Sequence, residues 1–89
     1  MKVRAGSDYI YYPNLLDRFE GRTGLVPGDI VRVENFPGCP PANTMGHAHV
    51  TLNHRMVGLV HTNSLHKLSD RQMVIDAIKA DMERIEDRL

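Results

Sequence analysis

Residues 57–68 read VGLVHTNSLHKL, and their order of apolar and polar letters decides which fold we expect. The aliphatic run before His61 and the Leu65 that follows Ser64 are typical of two short strands. The polar residues between them, Thr-Asn-Ser at 62–64, favour a single tight turn. This stretch therefore predicts a strand, a turn and a short closing strand.

A further strand is predicted upstream, where residues 26–34 read VPGDIVRVE. Proline followed by glycine favours a turn, and the alternation after it favours a half-buried strand over residues 30–34. Val31 and Val33 would then point into the core, while Arg32 would point to water.

The first 25 residues contain shorter candidate elements. Residues 2–4 and 9–12 are strand candidates, because a Gly-Ser-Asp sequence that is typical of turns separates them. Residues 15–19, LLDRF, fit either a helical turn or part of a loop, since so short an apolar run does not decide between the two.

Residues 47–61 predict a β-hairpin around a two-residue turn at positions 53–54. Asparagine at the first turn position favours this, because it tolerates a positive φ angle better than most residues. With that turn, Val50 would lie opposite Val57. One face of the hairpin would then carry an apolar stripe for the core, namely Ala48, Val50, Val57 and Leu59.

Residues 69–89 predict a long amphipathic helix. Ser69 and Gln72 have the spacing of a capping box. The apolar residues that recur on one helical face are Val74, Ile78, Met82, Ile85 and Leu89. A helix of this length spans roughly 30 Å, so we expect its end to overhang and to present Ile85 and Leu89 to a partner or to another copy.

Composition indicates one globular domain without a charge surplus. The chain has 89 residues, of which 42% are hydrophobic, and 11 Lys and Arg balance 11 Asp and Glu. Proteins that bind nucleic acid usually carry a basic surplus, because neutralising phosphates drives that binding. Nucleic-acid binding is therefore only an alternative, with Arg18, Arg22, Arg32 and Arg55 as its candidate contacts.

The single cysteine, Cys39, excludes an intramolecular disulfide and a cysteine-based zinc site. No apolar stretch approaches the ~20 residues that cross a bilayer, and no signal peptide is recognisable. We therefore expect a cytoplasmic protein that does not insert into membranes.

Candidate chemistry is sparse in this sequence. His47 and His49 would share one face of a strand, and imidazole is a common metal ligand, so a histidine-based metal site is a second alternative. The spacing matches no established zinc signature. Without a nucleophile motif or a phosphate-binding loop, we expect no enzyme and no cofactor.

The quoted segments resemble SH3 domains. Residues 58–65, GLVHTNSL, are similar to the closing Gly-Leu-Ile-Pro-Ser-Asn-Tyr-Val of that family, and residues 25–33 look like its strand that opens with Gly-Asp. The resemblance covers residues 8–68. It implies an SH3-like small barrel of about five strands in residues 1–68 and does not include the helix. Together with the helix that the pattern of residues 69–89 predicts, we expect a mainly β fold with one C-terminal α-helix.

The family also indicates what kinds of function to expect. SH3 domains bind proline-rich peptides in a groove with Trp, Tyr and Pro, but this chain has no Trp and carries His61 and Ser64 where the groove Pro and Tyr would be. Residues 62–64 resemble the Thr-Asn-Asn turn of the SH3-like stromal subunit of photosystem I, a docking subunit without a cofactor. The Gly-Asp-x-Val-x-Val pattern of residues 28–33 is similar to KOW barrels, which bind RNA or ribosomal and transcription machinery.

We therefore expect a docking or adaptor module, or a small accessory subunit of a larger complex. Its contacts would come from the proline-rich loop of residues 35–46, from the tyrosine segment and from the end of the helix. The tyrosines fit an interface and a core equally well. The candidate contact residues are Tyr9, Tyr11, Tyr12, Phe36, Met45, Ile85 and Leu89.

Overall fold

The computed structural model describes residues 2–20 and 23–87, except for the side chains of residues 20 and 84–87. It contains five β-strands, which are β1 (Asp8–Tyr11), β2 (Ile30–Val33), β3 (His47–Leu52), β4 (Arg55–His61) and β5 (Leu65–Lys67). Two α-helices accompany them, α1 (Leu15–Glu20) and α2 (Arg71–Asp87). Short 3-10 turns at Thr62–Ser64 and Leu68–Asp70 connect β4 to β5 and β5 to α2.

All five strands belong to one antiparallel sheet in the order β4-β3-β2-β1-β5. The expected mainly β fold with a C-terminal helix is thereby confirmed. The edge strands β4 and β5 do not pair with each other, so the sheet is not closed by strand pairing.

The core lies on one face of this sheet. Val31 and Val33 point into it with 1% and 0% of their surface exposed, as the alternation of β2 predicts. The cluster of buried side chains comprises Val3, Tyr9, Tyr11, Val31, Val33, Ala48, Val50, Val60 and Leu65. Residues 2–4 do not form a strand. Val3 is instead fastened by Asn43, whose side chain accepts the Val3 N–H at 2.7 Å and donates to the Val3 carbonyl at 2.8 Å.

A β-bulge corrects the predicted register of the hairpin between β3 and β4. The turn at Asn53 and His54 is confirmed, with φ angles of 51° and 67° that suit a type I′ turn. Beyond Thr51 the register shifts by one residue, so that Val50 lies opposite Gly58 instead of Val57. The expected core stripe is therefore wrong at Leu59, whereas Val57 packs against the core as expected.

Beyond the bulge, the extra residue reverses which side chains of β4 face the core. Val60 is 1% exposed, whereas Leu59 is 47% exposed. Gly58 permits the shift, because its φ angle of 142° is one that side chains disfavour, and a Cβ there would lie 3.1 Å from the Thr23 methyl.

The C-terminal helix is attached to the sheet through one face. Val74 is buried and Ile78 lies against Gly28, while Met82 is 58% exposed. The expected capping box is absent, because the Gln72 amide donates to Asp76 at 3.0 Å and a 3-10 turn precedes the helix. Ile85 and Leu89 lie outside the described side chains.

A polar contact fastens the middle of α2 to the end of β1. The Tyr12 hydroxyl donates to Asp81 Oδ2, and the Arg18 guanidinium lies 3.2 Å from the same oxygen. The Arg18 guanidinium also stacks over the Tyr12 ring, 5.2 Å from its centroid. Because the Asp81 carboxylate accepts a hydrogen bond from the protonated hydroxyl, the pKa of Tyr12 lies above its ordinary value of 10.0.

We predict that Tyr12→Phe lowers the free energy of unfolding by about 1 kcal/mol at pH 8, because it removes this hydrogen bond. The raised folded-state pKa means that the hydroxyl stabilises the protein fully below pH 10 and loses its effect as the pH rises through the folded pKa. The difference between wild type and variant should therefore shrink above pH 10. Urea denaturation between pH 8 and 11.5 measures this difference. The contribution of Tyr11 cancels in it, because both proteins contain that residue. A difference that grows with pH would contradict the assignment.

Candidate docking surface

The short helix α1 has an inverted arrangement of polar and apolar side chains. Its carboxylate Asp17 is buried, with 8% of the residue exposed. Leu15, Leu16 and Phe19 are instead 76%, 56% and 89% exposed. A surface helix normally turns its apolar face to the core, so this outward apolar face requires a specific cause.

The cause is a hydrogen-bond network around Asp17. Asn14 caps the helix, since its Oδ1 accepts the Asp17 N–H at 2.9 Å. The Asp17 carboxylate accepts the His61 backbone N–H at 3.2 Å, the His61 Nδ1–H at 2.6 Å and the Ser64 hydroxyl. The Asn14 N–H in turn donates to Ser64 Oγ at 2.9 Å. Every buried side-chain nitrogen or oxygen atom in the described part of the chain has such a partner.

Serine, histidine and aspartate meet here, but not in the order that nucleophilic catalysis needs. In a catalytic triad the histidine lies between serine and aspartate and takes the serine proton. Here the carboxylate of Asp17 lies between Ser64 and His61, so the Ser64 hydroxyl donates to an acceptor that also holds the imidazole. Ser64 is also fully buried. This network therefore fastens α1 to β4 and to the following turn and does not activate a nucleophile.

Arg18 holds the neighbouring side of α1. Besides its contact with Asp81, its Nε donates to the Pro13 carbonyl at 3.1 Å. Asp17 is thus anchored to the sheet and Arg18 to α2. The remaining side of the helix, with Leu15, Leu16 and Phe19, must face outward. We call these three side chains the α1 face.

The structure also contains an apolar groove of about 360 Å³. It runs between the 35–46 loop and the strands β3 and β4. Its lining residues are Pro40, Pro41, Thr44, Met45, His47, His49 and Leu59. Met45 is 91% exposed and has a positive φ angle of 52°, which turns it out of the loop. The bulge in β4 exposes Leu59, so the same irregularity that alters the core stripe also builds the groove.

Two imidazoles in contact connect the groove to α1. The His47 and His61 rings lie opposite each other on β3 and β4, with centroids 4.2 Å apart. His47 Nδ1 donates to the Met45 carbonyl at 2.9 Å, because a carbonyl oxygen can only accept. Nε2 of a neutral His47 is then a hydrogen-bond acceptor at the groove.

The expected contact residues occupy different environments. Tyr9 and Tyr11 are 8% and 3% exposed, so their expected place in a contact surface is corrected: β1 is a central strand that buries both rings. Tyr12 is half-buried and serves the contact with α2. Phe36 is half-buried against His49, with ring centroids 6.0 Å apart. Met45 forms part of the groove.

The arginines proposed for nucleic acid differ in their pairing with carboxylates. Arg18 is paired with Asp81, and Arg32 Nε lies 2.9 Å from the carboxylate of Asp8. Arg55 is exposed at the hairpin turn. Arg22 lies outside the described residues. Two of the three described arginines are thus engaged with carboxylates.

The histidines proposed for a metal site both line the groove, as their shared strand face predicts. His47 contacts His61 and His49 contacts Phe36. Within residues 2–20 and 23–87, no three His, Cys, Asp or Glu side chains come together in a way that could hold a metal ion.

Sequence reasoning missed the α1 face, its anchor Asp17 and the groove residue Leu59. One signal was present for the anchor, because Asn14 three residues before Asp17 has the spacing of an N-cap. The face itself has Leu15 and Phe19 four residues apart, and this spacing normally predicts burial.

A scan against protein-family models finds no match for this chain, and searches of curated proteins and of solved structures find none either. Among the described residues, no helix has both the length and the apolarity needed to cross a membrane.

We predict that Asp17→Asn destabilises the protein by about 2–4 kcal/mol. The NH₂ group of the asparagine side chain would face hydrogen-bond donors, where a carboxylate oxygen accepts from them. The matched control is Asp29→Asn, whose carboxylate accepts the Val26 N–H at 2.9 Å in an exposed contact. That variant should lose at most about 1 kcal/mol. Urea denaturation at pH 7 compares the two. Equal losses would mean that Asp17 does not anchor α1.

Proposed function

We propose that this protein is a non-enzymatic protein-docking module or small accessory subunit, built on an SH3-like small barrel and working in the cytoplasm. The observation that carries the proposal is the apolar groove of about 360 Å³ between the 35–46 loop and the β3–β4 hairpin. Its volume suits the apolar side chains of a protein partner.

Three features support the SH3-like barrel. Strand β1 pairs with both β2 and β5, so the first and last strands of the chain are neighbours in the sheet. A 3-10 turn separates β4 from β5. The outer edge of β4 is covered by the segment between β1 and β2, since Asp17 accepts the His61 N–H and Thr23 lies beside Gly58. An edge that is covered in this way does not need a paired strand to be protected.

The composition of the groove favours protein over nucleic acid. Pro40, Pro41, Met45 and Leu59 give it apolar walls, and such walls lack the cations that phosphate contacts require. When its ring is neutral, His47 also offers Nε2 as a hydrogen-bond acceptor, which suits an N–H or O–H of a partner chain. Apolar anchors surrounded by a few polar groups are typical of protein interfaces.

The absence of enzymatic activity is part of the same proposal. The one serine–histidine–aspartate cluster that we found in the described residues has its carboxylate in the middle, which suits fastening and not proton transfer. Loop positions on a rigid sheet are where small domains commonly bind, and the groove uses such positions at Met45 and Pro41.

We predict that a photoreactive side chain in place of Leu59 crosslinks to protein in extracts of the native host, because position 59 lines the groove. The same side chain in place of Met56 is the matched control. Met56 is 57% exposed on the same strand but lies outside the groove lining. Leu59→Glu should lower the affinity for the crosslinked protein at least tenfold, about 1.4 kcal/mol. No protein adduct from position 59, or equal adducts from both positions, would refute the docking function.

A further inference from the structure

We propose that the occupant of the groove is a second copy of this chain, with the α1 face of each protomer seated in the groove of its partner. The inference rests on the proposed function, because it names the partner of the same groove. It differs from self-association through the end of α2, which the sequence pattern favours.

The chain carries both halves of such a contact. The α1 face projects Leu15 and Phe19, four residues apart, with 76% and 89% of their surfaces exposed. The groove offers apolar walls at Pro40, Met45 and Leu59. Exposed apolar patches with a polar surround mark interaction sites. Asp17 and Arg18 hold α1 in this orientation without a partner, so little ordering would oppose association.

The α1 face and the groove also lie beside each other. His61 contacts Asp17 of α1 through Nδ1 at 2.6 Å, and its ring lies 4.2 Å from that of His47, which lines the groove. The projection and the recess are therefore next to each other. In a two-fold dimer each residue pair occurs twice. An axis that passes near His61 would insert both α1 faces into both grooves at once.

The area that two copies could bury favours a reciprocal contact. The three exposed side chains of one α1 face present on the order of 400 Å². If a contact buries the whole α1 face and an equal area of the groove, one face in one groove buries on the order of 800 Å² in total, which is the size of a crystal contact. The reciprocal pair then buries on the order of 1,600 Å², the size of a stable interface. Reciprocal insertion is thus the arrangement that the available area favours.

The charges of the chain do not oppose the association of two copies. The formal net charge of the chain is zero, so two copies do not repel each other. The cation next to the α1 face, Arg18, already has the Asp81 carboxylate at 3.2 Å. Insertion of the α1 face therefore does not require a new counterion for Arg18.

Analytical ultracentrifugation of the full chain at about 100 µM tests the proposal, a concentration at which micromolar complexes are populated. We expect wild type to sediment as a dimer. Phe19→Glu and Met45→Lys should each sediment as monomers, because each removes one half of both contacts. Met73→Glu is the control and should remain dimeric, since Met73 is 57% exposed on α2, outside both surfaces. Circular dichroism verifies that the variants, all at exposed positions, stay folded.

An equimolar mixture of Phe19→Glu and Met45→Lys distinguishes this geometry from α1 packing against α1. The mixed dimer has one intact contact and one in which the introduced carboxylate meets the introduced ammonium, so we expect a heterodimer. A monomeric wild type, a dimer that persists in both variants, or a mixture that stays monomeric would each overturn the proposal. A monomer that still crosslinks to another protein from position 59 would end this inference and leave the docking function intact.

Discussion

The buried carboxylate of Asp17 is the constraint on which the surface of this protein depends. It accepts hydrogen bonds from the His61 backbone, the His61 imidazole and the Ser64 hydroxyl, three donors on β4 and on the turn that follows it. A buried charge costs free energy unless such partners satisfy it. The Asp17 side chain therefore reaches its three donors in the observed orientation of α1. That orientation directs Leu15, Leu16 and Phe19 to the outside.

The same principle, a polar or irregular feature that directs apolar side chains outward, recurs at the groove. The β-bulge at Gly58 turns Leu59 away from the core, and the positive φ angle of Met45 turns that side chain out of its loop. His61 belongs to both regions, because its ring donates to Asp17 and contacts the ring of His47. The two apolar surfaces are thus parts of one hydrogen-bonded assembly, which is why they lie beside each other and can act together in docking.

The sequence predicts the regular parts of the fold because local chemistry determines them. Alternation in residues 30–34, the turn residues Asn53 and His54 and the four-residue spacing from Val74 to Ile78 all match the structure. The bulge was not predicted, since glycine in a strand permits a bulge without requiring one. The α1 face was missed because a Leu-Leu-x-x-Phe pattern normally indicates burial, and only the distant partners His61 and Ser64 reverse it.

The anchoring of α1 by Asp17 is tested most directly by which His61 ring nitrogen carries a proton, measured in a long-range ¹H–¹⁵N NMR spectrum at pH 7.5. If Asp17 anchors α1, the proton resides on Nδ1, exchanges slowly with solvent and shows a nuclear Overhauser effect to the Asp17 side chain. A neutral ring with its proton on Nε2 would mean that Nδ1 donates nothing to Asp17. It would contradict the claim that this contact determines which face of α1 is exposed.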